Sequence, residues 1–168
     1  MPFKIESFSF NLPFGIGGAN VVRTEAQQRA AWALYVEYAT RIASRPLPRG
    51  QGSAREALTS LHHLFDATRT VLKDLGPGVA EGPDSAGELA IRILNQGVRP
   101  FLTEWHTKLG AFETKEQRAQ REQGIREPTV DEGEWSELGA FYAALETFRL
   151  DMQHFVHALQ QLAGVSGG

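Results

Sequence analysis

Leu138, Phe141, Leu145, Phe148, Met152, Phe155, Leu159 and Leu162 follow one another at spacings of three and four. Such spacing places all eight side chains on one stripe of an α-helix, where 3.6 residues complete a turn. From Leu138 to Leu162 there are 24 steps, roughly 36 Å at 1.5 Å per residue. A helix with an apolar stripe from end to end must lay it against other helices. The rest of the chain has to supply them.

Three further segments qualify. Thr24 with Gln27 forms a capping-box pattern, followed by Ala31, Tyr35, Tyr38 and Ile42 on one face. Pro46, Pro48, Gly50 and Gly52 then stop that helix. Ser53 with Glu56 opens a second, whose Leu58, Leu61, Phe65, Thr68, Leu72 and Leu75 run to a stop at Gly76 and Pro77. A third opens at Ser85 with Glu88 and carries two stripes. Ile91, Leu94, Val98 and Phe101 form the first; Leu102, Trp105, Leu109 and Phe112 form the second, displaced by one residue beside Pro100. A proline there removes a backbone donor, so the spacing predicts a kink or a break.

The expected architecture is therefore all-α, a four-helix bundle with a kinked third helix. Its helices fall near 24–44, 53–75, 85–112 and 132–163. Residues 115–134 hold ten charged residues and read as a solvated helical turn or a mobile loop. At the front, "FKIESFSF" and "NLPFGIGGANVV" read as a short strand or hairpin arm over residues 1–23. Two strands alone are barely stable, so this arm must lie on the bundle or pair with another chain. Residues 164–168 read as a flexible tail, and the whole as a single helical domain.

Composition then excludes several functions. The chain has no cysteine, which removes disulfides, thiolate zinc sites and cysteine nucleophiles. A net charge of −3 argues against general affinity for nucleic acid. No stretch approaches the ~20 apolar residues of a membrane span, and the N-terminus lacks a signal-peptide pattern. A cytoplasmic location is the expectation.

Arginine followed by histidine after four to six residues resembles the catalytic signature of HEPN ribonucleases, which are helical bundles. There, histidine works as general base or acid and arginine stabilises charge on phosphate. Arg149 and His154 have this spacing, as do Arg55 with His62 and Arg99 with His106. Chance alone gives about one such match in a chain of this composition. The helix phase that buries Met152 and Phe155 turns His154 and His157 outward and leaves Arg149 beside the seam. Ordinary helix surface is the preferred reading of this stretch, and a ribonuclease using Arg149 and His154 is the alternative.

No Glu-x-x-His, His-Glu-x-x-His or inward carboxylate pair accompanies the histidines, so neither metal nor cofactor is expected. "GIGG" at 15–18 lacks the Gly-Lys-Ser/Thr of a phosphate loop. "VRPFLTEWHTKL" is the most individual stretch. Trp105 continues an apolar stripe, and Arg99 and His106 border it. A kinked core helix is the preferred reading of this stretch; the alternative is a recognition surface, in which these residues, with Trp135 and Tyr142, are the candidate partner contacts, since Trp, Tyr and Arg are favoured interface anchors.

"FNLPFGIGG", "LYVEYATRIASRPL", "REALTSLHHLF" and "ILNQGVRPFLTEWH" together resemble an uncharacterised, mostly actinobacterial family of helical proteins, over about residues 8–113. The resemblance implies a bacterial, mainly helical, stand-alone domain and carries no activity or site residue with it. The expected function is that of a non-enzymatic protein–protein interaction or scaffold domain. Because the first three stripes are shorter or broken and the arm has an open edge, a homodimer is expected to cover what the chain itself does not.

Overall fold

The computed structural model describes residues 5–41, 47–48 and 52–165. Ile42 and the expected end of the first helix, Pro46, Gly50 and the last three residues of the tail lie outside them. The described residues are mostly helical, with one two-stranded antiparallel sheet.

Strands β1 (Ser7–Leu12) and β2 (Gly17–Val22) form the hairpin, with Phe8 opposite Val21 and Phe10 opposite Ala19. Its turn holds Phe14 at φ +62°, a left-handed conformation that costs a residue with a Cβ. Buried contact offsets that cost. The Phe14 ring lies 5.6 Å from that of Phe148 and covers Gly97, where a Cβ would come within 2.4 Å of Phe14 Cδ2. Arg23, just after β2, bonds the Glu6 carboxylate at 2.7 Å and donates to the Gln161 carbonyl at 2.6 Å. The arm thus lies on its own helices, fastened at both ends.

Helix α1 (Glu25–Ala39) packs antiparallel to α5 (Leu138–Ala163): Gln28 donates to the Ala163 carbonyl, and Tyr38 meets Phe155 edge-on at 5.4 Å. The seam that opened the sequence reading is covered within this chain. Phe141, Leu145, Phe148, Met152, Phe155, Leu159 and Leu162 are all buried.

Helix α2 (Ala54–Leu75) has the full capping box of Ser53 and Glu56. The first helix does not complete its box. Thr24 caps the Gln27 N–H, but the buried Gln27 side chain bonds the Ala86 N–H and the Val79 carbonyl, tying α1 to the start of the helix that opens at Ala86. Ser85 likewise caps only the Glu88 N–H.

Helix α3 (Ala86–Arg92), a π-helical segment (Ile93–Val98) and α4 (Arg99–Glu122) run on without interruption. No break occurs at Pro100. The Arg99 N–H reaches the Leu94 carbonyl five residues back. Such a turn takes in one extra residue, which is why the apolar stripe shifts by one there. Two boundaries also differ from the sequence reading. Helix α4 continues to Glu122, because its charged end is satisfied in water, and α5 begins at Leu138 rather than 132. The connection between them carries a short 3₁₀ turn (Glu132–Glu134).

Candidate anion-binding groove

Two environments share α4. One face, with α5 and the preceding connection, holds aromatic rings. Trp105 lies 5.4 Å from Phe141 and 6.0 Å from Trp135, and Phe101 stacks on Phe148 at 4.7 Å. Trp105 and Trp135 are 4% and 5% exposed, so both tryptophans proposed as partner contacts belong to the interior. Tyr142 is half-buried against Phe141.

The other face lies antiparallel to α2. Between the two helices runs an open groove of about 260 Å³, lined by His62, Phe65 and Arg69 from α2 and by Arg99, Leu102, Thr103, His106 and Thr107 from α4. The His62 and His106 rings stand edge to face at 6.4 Å. Arg99 and Arg69 lie over the Phe65 ring at 4.9 and 5.6 Å, contacts that hold both guanidinium groups in place. Arg69 is paired with Asp66, whereas Arg99 bonds only Asn95 at long range and has no carboxylate partner among the described residues.

Arg55 closes one end. Its guanidinium is paired with Glu113 and places Nη1 2.8 Å from His106 Nδ1. At its base, the Ala54 and Arg55 N–H groups donate to the Glu132 carboxylate at 2.7 and 3.0 Å. Glu132 thereby satisfies the start of α2 and places Arg55 beside His106.

A guanidinium only donates, so His106 Nδ1 accepts and the neutral ring carries its proton on Nε2. Burial pushes the His106 pKa below the ordinary histidine value, and the positive charge of Arg55 adds to it. At neutral pH this side chain is an uncharged N–H donor with no lone pair left over. Thr107 spends its hydroxyl proton on the Thr103 carbonyl at 2.8 Å. The groove therefore offers hydrogen-bond donors and positive charge.

The Arg149–His154 stretch has no comparable setting. Arg149 is 8% exposed and bound to Glu146, which pushes the arginine pKa up and the glutamate pKa down. His154 stands exposed on the outer face of α5 near His157, which hydrogen-bonds Gln161 at 3.0 Å. Among the described residues no three His, Asp or Glu side chains gather to hold a metal ion, and no helix is long and apolar enough to cross a membrane.

Sequence reading singled out Arg99 and His106 but could not pair them with His62 and Arg69. The only hint was that Arg55–His62 and Arg99–His106 share one spacing, which gains meaning once α2 and α4 are known to lie antiparallel. No family model, no curated protein and no solved structure matches this chain.

Proposed function

We propose that the protein is a non-enzymatic recognition domain that grips an anionic group of its partner in the α2–α4 groove. One observation carries this reading: Arg55 occupies His106 Nδ1 at 2.8 Å, leaving the ring as a donor in a groove that also holds Arg99, which has no carboxylate partner among the described residues. General base catalysis needs an available lone pair, and general acid catalysis needs a proton that leaves easily. A neutral Nε2–H held in this way supplies neither. It binds an anion well.

The competing reading is a HEPN-like ribonuclease. It is favoured by the facing of Arg55 and His62 with Arg99 and His106 across one groove, and not by Arg149 and His154. Both readings are tested with the full chain. Oxyanions should raise the melting temperature of the protein, as any ligand of the native state does. The Arg99→Gln variant should lose that response, and RNA should stay intact. RNA cleavage that disappears in His62→Ala would replace recognition by catalysis.

The same proposal treats the helical part as a four-helix bundle whose third member is the run α3–π–α4, bent where the π segment meets Pro100. It places the protein in the cytoplasm, with a protein as its partner. Self-association rests on the outer edge of the hairpin, since the α5 seam is buried by this chain. Light scattering at tens of micromolar tests the dimer, and a monomer would remove it.

A further inference from the structure

We infer that the anion taken by the groove is a phosphate monoester; this rests on the recognition reading above and gives it a ligand class. Donors come from both walls. Arg69 and His62 stand on α2, and Arg99, Thr103 and His106 stand on α4. A planar carboxylate is satisfied in one plane by a single forked guanidinium. A phosphoryl group has three terminal oxygens pointing in different directions, and needs donors that converge from more than one side.

Charge points the same way. Asp66 compensates Arg69 and Glu113 compensates Arg55, so Arg99 is the cation left uncompensated by the described residues. One positive charge suits a monoanion. Around it stand neutral donors, the His106 Nε2–H among them, on the two walls whose histidine rings lie 6.4 Å apart, so the oxygens of a phosphoryl group beyond the one at Arg99 also find hydrogen bonds.

Size and pre-organisation complete the argument. At about 260 Å³ the groove falls below the ~300–1,000 Å³ of sites that enclose a whole small molecule. It holds one anionic head, and the remainder of the ligand stays outside. The buried Phe65 ring fixes Arg99 and Arg69 before any ligand arrives, which reduces the ordering cost of binding. A polynucleotide would need a track of such cations. Here the paired carboxylates Asp66 and Glu113 flank the groove instead.

The test is an NMR titration of the full chain, following the ring signals of His62 and His106. Phenyl phosphate should shift both saturably. Benzoate should bind about tenfold more weakly or worse, and Arg99→Gln should weaken phenyl phosphate by about tenfold or more, as expected for losing one charge-assisted hydrogen bond. Arg99 is exposed, so its replacement leaves the interior intact; a wild-type-like spectrum of the variant confirms that. Phosphoserine as the free amino acid and within a peptide separates two sources of the same chemistry. Tighter binding of the peptide identifies a phosphorylated protein, and equal binding a small phosphate ester. Benzoate binding as well as phenyl phosphate overturns the phosphate inference and leaves anion recognition standing. If no anion moves either histidine, both fail. Displacement of phenyl phosphate by an unphosphorylated RNA oligonucleotide, more tightly than by phosphoserine, overturns the monoester in favour of a polynucleotide.

Discussion

Trp105 and His106 are neighbours in sequence and belong to opposite environments. Trp105 packs among Phe101, Phe141 and Trp135. His106 faces Arg55 and His62 across an open groove. One turn earlier the same division separates Phe101 from Arg99 and Thr103. Successive residues on a helix point about 100° apart, so one helix can serve both environments. The aromatic side holds the fold together by burial. The groove side holds donors and, in Arg99, a positive charge with no carboxylate partner among the described residues, which does little for stability and suits a ligand.

The largest effect is expected at Phe141, which is fully buried among four aromatic neighbours, Phe101, Trp105, Trp135 and Tyr142. Phe141→Ala should cost about 3–5 kcal/mol in urea unfolding. At low temperature, where the variant still folds, its groove should bind anions as the parent does. A change in anion affinity matching the loss of stability would mean the two sides are one unit.

A smaller effect is expected at the hairpin. Gly97→Ala puts a Cβ against the Phe14 ring and should cost about 1–3 kcal/mol. Gly110, in the same α4 run, has open space around its Cβ position and no positive φ, so Gly110→Ala should stabilise by about 0.5–1 kcal/mol. Combining Gly97→Ala with Phe14→Ala should recover part of the loss, and strictly additive costs would remove the contact from the account.

At the groove end, Glu132→Ala removes the acceptor of the first two N–H groups of α2, beside the Ser53–Glu56 box, and should cost about 1 kcal/mol. It should also loosen Arg55, so the His106 ring signals should move although Glu132 does not touch them. Unmoved signals would separate the cap from the histidine.

The pH dependence is smaller still. Because the folded-state pKa of His106 is lowered, the unfolded chain binds a proton more readily. Its contribution to stability is complete above the ordinary histidine pKa and is lost as pH falls below it. His106→Gln should lessen the loss of stability between neutral and mildly acid pH. An unchanged or steeper loss would contradict the assignment.

How much of this could be read in the residues differs between the two sides. The α5 seam was legible because burial leaves a 3-4 period; the one-residue slip in the third segment was legible as an irregularity, but beside Pro100 it pointed to a kink or break rather than to the π turn that causes it. The hairpin was half legible. Its glycines marked a turn, but nothing local announced that Phe14 would lie on Gly97, a contact made 83 positions away. The groove was illegible as a site, since His62 and Arg69 meet Arg99 and His106 only through the antiparallel pairing of α2 with α4. Trp105 continues a helix stripe and lies in the interior, as the core-helix reading of that stretch has it; Trp135 lies before the last stripe, where no period tells an inward ring from an outward one.

The account depends most directly on the state of one ring. A long-range ¹H–¹⁵N spectrum of histidine-labelled protein at neutral pH distinguishes the two neutral tautomers and the imidazolium. His106 should be neutral with its proton on Nε2, and Arg55→Gln should release it to a mixture of forms. An imidazolium, or a proton on Nδ1, would contradict it, because Arg55 would then not hold the ring as a donor.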